Sequence, residues 1–285
     1  LVRVAVKEIE KARAAGMVVT ADQYPYVASS TSLSATFLPT WAREGGRSQL
    51  LDRLKNPGDE RRIHQAIRKK LDLTDQGERI QIAYHQAQPA WSGKRLKQIA
   101  DELELDPLEL VLRIERAGGA GIVNYSINES DVRFVMKQQW VATASDGSAR
   151  IPSDRMPHPR SYGTFPRKIG YYSVREKEID LPQAIRSCTG LPADILGLPE
   201  RGYLRAGYFA DIAVWPEKEL IDRATFENPH QYSDGIRYLW VNGTPSIWSG
   251  KQTGVLAGRT LRHPLAGQKP TDQNSPDQKS AGQQE

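Results

Sequence analysis

The sequence predicts an α/β protein in which helix–strand units are followed by a small, separate β unit. Three observations carry that expectation. Amphipathic helical patterns alternate with short apolar strands through roughly residues 1–200. From Gly202 onward short apolar runs are divided by the turn dipeptides Asn242-Gly243 and Ser249-Gly250. At 285 residues, 39% hydrophobic and 26% charged, the chain suits one large packed domain or two modest ones rather than a disordered polymer.

Taken in order, Val2, Val6 and Ile9 recur at helical spacing, and Gly16 supplies a stop. Met17–Val19 then run as a strand into Thr20-Ala21-Asp22-Gln23-Tyr24-Pro25-Tyr26, where it opens into a loop. Residues 38–75 read as a helical insertion, turned at Asn56-Pro57-Gly58-Asp59. Arg79–Tyr84 alternates like a short strand, and Ser92 is placed to cap a helix through about Leu103. Asp106-Pro107 starts the next helix, with Asp as cap and Pro in the first turn, and Gly118-Gly119 ends it. Ile122–Tyr125 is a strand, Asn128 caps Glu129–Lys137, and Trp140–Ala144 is the next strand, so strand and helix alternate at barrel-like spacing. A Pro-, Gly- and His-rich loop follows Ser145-Asp146-Gly147 to about Arg167, and Pro182–Thr189 is helical. Strands are expected at Ala210–Trp215, Arg237–Val241 and Pro245–Trp248. Residues 263–285 are polar and expected to be disordered.

The net charge of +5 sits in one place. Between Arg43 and Lys70 nine Lys/Arg face four acids, and the basic and acidic residues elsewhere cancel. No aromatic-interleaved basic strand or zinc-ligand spacing accompanies that segment, so a solvated helical face is expected rather than a nucleic-acid partner. No stretch approaches the roughly 20 apolar residues of a membrane helix, and no membrane partner is expected. The single cysteine, Cys188, excludes an internal disulfide, and a cytoplasmic location is expected.

Two clusters carry chemistry. In Val141-Ala142-Thr143-Ala144-Ser145-Asp146-Gly147 an apolar strand ends in a carboxylate followed by Gly. At the carboxyl end of a barrel strand such an Asp can act as general base, activate a water or touch a metal; it can equally cap its own turn. His158-Pro159-Arg160 follows twelve residues later. An Arg fixed behind a Pro can hold a carboxylate bidentately or lie in a surface loop, and a lone His before Pro is a packing residue more often than a ligand. The second cluster, Tyr24-Pro25-Tyr26-Val27-Ala28-Ser29-Ser30-Thr31, offers phenols and hydroxyls that could orient a substrate or form aromatic core and loop. Five histidines (His64, His85, His158, His230, His263) include no His-x-His and no i,i+4 pair, so no complete zinc site can be assembled from the sequence.

Together Ala21-Asp22-Gln23-Tyr24-Pro25-Tyr26, Ser145-Asp146-Gly147, His158-Pro159-Arg160, Tyr162-Gly163-Thr164-Phe165-Pro166-Arg167, Gly207-Tyr208-Phe209-Ala210-Asp211 and Val241-Asn242-Gly243 resemble, in this order, the N-acyl-D-amino-acid deacylases (D-aminoacylases) of the amidohydrolase superfamily. The resemblance spans roughly residues 1–262. It implies the C-terminal part of a metal-dependent (β/α)₈ barrel over 1–200, interrupted by the insertion at 38–75, and a β-sandwich portion over 201–262. It implies Met17–Ala21 and Val141–Ser145 as the seventh and eighth barrel strands. It implies Asp146 as the catalytic aspartate, a possible metal contact, and Arg160, Tyr24 and Ser30 as substrate-binding residues. It implies zinc as cofactor and a small-molecule N-acyl amino acid as substrate. The family's His-x-His pair, Cys and two further His have no counterpart here, and the chain starts at Leu1. The expectation is therefore a fragment of a longer enzyme. The alternatives are a non-catalytic binding or assembly module and an amidohydrolase acting on another, cyclic, amide.

Overall fold

A computed structural model describes residues 1–262. The tail expected over 263–285 lies outside the described residues. Helix α1 (Val2–Ala14) has a narrow apolar stripe, and Val6 buries it against Trp140 and Val141. Strand β1 (Ala21–Gln23) pairs in parallel with β5 (Val141–Thr143), Ala21 standing opposite Val141. The expected strand Met17–Ala21 is displaced toward the C-terminus. Met17 and Val18 are 61% and 95% exposed, and sheet bonding begins only where the Ala21 amide reaches the Trp140 carbonyl. At the other end the strand expected over Val141–Ser145 stops at Thr143, one last bond running from the Ala144 amide to the Gln23 carbonyl, and Asp146 turns into the left-handed region at φ +45°. Helix α8 (Glu129–Met136), capped by the Asn128 side chain on the Ser130 amide, leads into β5 much as α1 leads into β1.

Between β1 and α8 the chain builds a unit with its own core. Its elements are β2 (Ser29–Ser32), α2 (Leu33–Phe37), α3 (Thr40–Arg43), α4 (Gly46–Arg53), α5 (Pro57–Leu73), β3 (Ile80–Tyr84), α6 (Leu96–Glu102), α7 (Pro107–Arg116) and β4 (Gly121–Asn124). Leu33, Phe37, Ile63, Ile67, Leu71, Ile82, Leu96, Leu110 and Ile122 belong to one buried cluster, so the helices of 38–75 share a core with the elements on either side of them. Asn56 and Asp106 cap α5 and α7, each ahead of a Pro. The sheet, ordered β2-β4-β3, is antiparallel throughout. That corrects the expected barrel-like alternation over 79–125. The two helices expected between β3 and β4 are both present, and after them the chain re-enters the sheet from the opposite end. Ser92 caps nothing. Ser92 and Gly93 turn, Lys94 and Arg95 then run beside β3, with the Ile82 amide donating to the Lys94 carbonyl, and α6 starts only at Leu96.

The loop expected from Asp146 to Arg167 is helical over its last third. Helix α9 (Arg160–Pro166) starts directly after Pro159, and a π-helical run, Arg167–Arg175, continues it. Pro166 is tolerated because it falls where the register widens. Gly170 in that run lies against the Leu220 carbonyl, and a Cβ there would stand 1.9 Å from the oxygen. Gly170→Ala must therefore move backbone and is expected to cost about 2–3 kcal/mol, lowering Tm by roughly 5–10 °C in calorimetry. Helices α10 (Leu181–Cys188) and α11 (Gly190–Leu196) follow. The chain closes with an antiparallel sheet of β6 (Ile212–Val214), β7 (Tyr238–Val241), β8 (Thr244–Trp248) and β9 (Lys251–Gln252). Both hairpin turns have positive φ at their two central residues, Asn242 and Gly243 (+51°, +78°) and Ser249 and Gly250 (+49°, +78°), the geometry that matches strand twist.

Candidate functional site

The end of β5 meets the start of α9, and this junction brings together most of the residues singled out in the sequence. Asp146 stands three residues beyond β5 with its side chain 68% exposed. Its Oδ2 lies 2.8 Å from Nη2 of Arg160, whose own side chain is only 8% exposed. Gly147 allows this closeness, since a Cβ there would meet the Ser161 Cα at 2.9 Å. The Arg160 guanidinium sits 4.6 Å from the centre of the Tyr24 ring, and its Nη1 is buried with no hydrogen-bond partner. A buried guanidinium with one edge engaged and a donor unused is a place for a second anion. Burial pushes the Tyr24 phenol up, against the pull of Arg160, so Tyr24 offers a neutral O–H.

Asp146 stands on the rim between two hollows. One, of about 210 Å³, has Ser30, Asp146 and Arg160 in its wall; the other, of about 400 Å³, has Tyr24, Asp22 and Asp146. The structure thus sets Asp146 and Tyr24 each against Arg160 and places Ser30 in the wall of the hollow that Asp146 and Arg160 line. Ser30 is not in a loop. It pairs with Val123 in β2, so its position is fixed by the inserted unit's sheet.

His158 is a positioning residue, as its place before Pro suggested. Its Nε2 hydrogen-bonds the Ala28 carbonyl at 2.8 Å, and its Nδ1 accepts the backbone N–H of Arg160 at 3.0 Å. Tyr24, Tyr26 and Phe226 pack edge-on around the ring. Burial holds its pKa down at about 4, with the neighbouring Arg160 adding to the effect. The unfolded chain therefore takes up a proton near pH 6.5 that the folded chain refuses until about pH 4. Stability from this site is complete above pH 6.5 and falls away as pH drops toward 4, by roughly 3 kcal/mol in total. Urea unfolding at pH 7 and pH 5 is expected to show that slope, and His158→Gln to flatten it.

Sequence reasoning missed the support behind Tyr24. Arg167 donates from Nε to the Pro25 carbonyl at 3.0 Å and from Nη1 to Asp222 at 3.1 Å, with the rings of Tyr26, Tyr171 and Tyr172 around it. Asp222, 55 residues away in the chain, carries no local signal. Cys188 takes no part in the cleft; burial pushes its thiol up, and it lies beside Ser187 behind Thr143.

For a metal, the donor set does not fit. Among the described residues no three His, Cys, Asp or Glu side chains come together in a way that could hold an ion. Asp146 is a single carboxylate already paired with Arg160. A zinc ion at this cleft needs its other donors from outside the described residues.

The profile of the amidohydrolase family matches residues 52–247. Among curated relatives, a D-aminoacylase of Alcaligenes xylosoxydans xylosoxydans is 37% identical over 62% of this chain and 36% of its own length. An N-acyl-D-glutamate deacylase of the same organism is 33% identical over 89% of this chain and 43% of its own. Two solved structures superpose well. A D-aminoacylase gives a TM-score of 0.70 at 31% identity, covering 91% of this chain and 46% of that one. The N-acyl-D-glutamate deacylase of Bordetella bronchiseptica, complexed with zinc and a phosphonate mimic of the tetrahedral intermediate, gives 0.66 at 28% identity, covering 90% and 46%. The chain spans less than half the length of each of these proteins.

Proposed function

This chain belongs to the amidohydrolase family, and from that footing we propose that the protein hydrolyses the amide bond of N-acyl-D-amino acids. Water adds across the acyl C–N bond, giving a carboxylate and a free D-amino acid. The observation that carries the reading is the Asp146–Arg160 pair, an exposed carboxylate held 2.8 Å from a buried guanidinium that keeps an unused donor. The names of the relatives point the same way.

In this reading Asp146 takes a proton from the attacking water and returns it to the leaving amine nitrogen. Arg160 binds the substrate's α-carboxylate, and the Tyr24 ring, 4.6 Å from the guanidinium, helps hold it in place. Tyr24 and Ser30 donate hydrogen bonds from opposite walls and fix the hand and angle of the amide. His158 holds the Arg160 backbone in place. The parallel β1–β5 pair, each strand led in by a helix, supports reading these two as neighbouring strands of a (β/α)₈ barrel. The β6–β9 sheet is read as part of a β-sandwich.

The test is an assay of N-acetyl amino acids of both hands beside a cyclic amide, on the full-length protein with zinc supplied. Cleavage of the D-amino acid derivatives alone is the expected result. Turnover of the cyclic amide alone gives the site to another substrate class, and binding without turnover of any of them leaves a non-catalytic module.

A further inference from the structure

The hollow of about 210 Å³ beside Asp146 holds more positive charge than the proposed chemistry uses. Its wall contains three guanidinium groups, Arg150, Arg155 and Arg160, against one carboxylate, Asp146. That carboxylate is already paired with Arg160 at 2.8 Å. Among the described residues neither Arg150 nor Arg155 is in an ion pair. Like charges gathered on one concave surface raise its potential and draw an anion to it.

Arg155 is exposed, yet its place is fixed from three sides. The amide of Met156, the next residue, donates to the Ala83 carbonyl near the end of β3 at 2.9 Å. His230 Nε2 lies 2.7 Å from the Arg155 carbonyl, so in the neutral ring this nitrogen carries the proton and donates. The other ring nitrogen, Nδ1, is then an acceptor, and it takes the O–H of Tyr162, a residue of α9, at 2.8 Å. The Arg155 guanidinium lies over the Tyr84 ring, 4.0 Å from its centre. The ring covers one face of the guanidinium and leaves its N–H edge to donate. An Arg held in this way loses less freedom on binding an anion than a loose surface Arg does.

We propose that Arg155 selects substrates with a second carboxylate, beyond the α-carboxylate assigned to Arg160, and that His230 and Tyr162 are its positioning residues. The proposal rests on the amide hydrolysis put forward above. The second carboxylate has two possible sources, the side chain of the amino acid or the far end of the acyl group. Arg150 contributes charge to the hollow without a fixed place in it.

Steady-state kinetics on the full-length protein with zinc supplied tests this with two pairs of substrates. One pair is N-acetyl-D-glutamate and N-acetyl-D-glutamine; the other is N-succinyl-D-leucine and N-butyryl-D-leucine. The ratio of kcat/KM, charged over neutral, is expected to exceed unity in one pair and to fall about tenfold in Arg155→Gln, chiefly through KM, with Arg155→Lys in between. The pair that responds identifies the source. Arg150→Gln lowers the same ratio by a smaller factor. So does His230→Phe, which keeps a ring against Tyr162 and loses the bond to the Arg155 carbonyl; an unmoved ratio there removes His230 from the proposal. A ratio that survives Arg155→Gln in both pairs, or that falls as far in Arg150→Gln, overturns the assignment. Cleavage of the neutral substrates alone overturns it too and leaves the hydrolysis standing. If nothing is cleaved, the hydrolysis reading falls, and titration calorimetry with the same compounds decides the matter. Tighter binding of a charged member, weakened about tenfold in Arg155→Gln, sustains the proposal, and equal binding or none overturns it.

Discussion

Asp146→Asn lowers kcat by about 10²–10⁴-fold in the full-length enzyme assayed under zinc, with folding unchanged. Asn is the informative replacement because the position has φ +45°, which Asn tolerates and a residue such as Val does not. The amide oxygen can still accept from Arg160, so the pair that places the side chain survives in weakened form. What disappears is the ability to accept a proton from water and hand it to the departing nitrogen. The measurement is steady-state turnover on an N-acetyl-D-amino acid, with circular dichroism and melting as controls. Turnover equal to wild type removes Asp146 from the chemistry.

Arg160→Ala raises KM by roughly 100-fold, the loss expected when one member of a buried, hydrogen-bonded charge pair is removed. The side chain is 8% exposed, fills the space beneath Tyr24 and touches Asp146. Its removal therefore takes away the binding charge and also frees Asp146, so kcat falls too, though by less than KM rises. Arg160→Lys keeps the charge without the planar fork and lands between wild type and Ala. A double-mutant cycle with Asp146→Asn separates the two contributions. Coupling above about 1 kcal/mol in kcat/KM is expected of residues 2.8 Å apart. An unaffected KM contradicts the carboxylate role.

Local chemistry made much of this structure readable in advance. Asp106 and Asn128 declare helix starts because a short polar side chain ahead of an apolar period has an amide to cap; Asn56, read as part of a turn, proves to cap α5, whose first turn is Pro57-Gly58-Asp59. Asn242-Gly243 and Ser249-Gly250 declare hairpins because few other residues accept two positive φ values in a row. Asp146 and Arg160 could be named from motif order, and they meet. What could not be read depends on distant partners. Ser29–Ser32 has poor strand propensity and is a strand because β4 pairs with it. Residues 160–175 contain Gly163, Pro166 and Gly170, a composition that reads as loop, yet they are helical because their faces pack against Tyr26, Leu220 and Asp222. The antiparallel direction of β4 shows only in its pairing with β2 and β3, and the Arg167–Asp222 support joins segments with no common pattern.

The register of β2 on β4 places Ser29 opposite Asn124, so the chain leaves for its long excursion and returns at adjacent points. Such a neck makes the excursion a detachable module. Splicing one end to the other with a short turn would keep β1, β5, Asp146 and Arg160 in one chain while removing the wall that carries Ser30 and the Ala83 and Gln81 contacts to Met156 and Phe226. A change in the size of that module would alter the wall carrying Ser30, and would reach the pair through Phe226, which packs on His158.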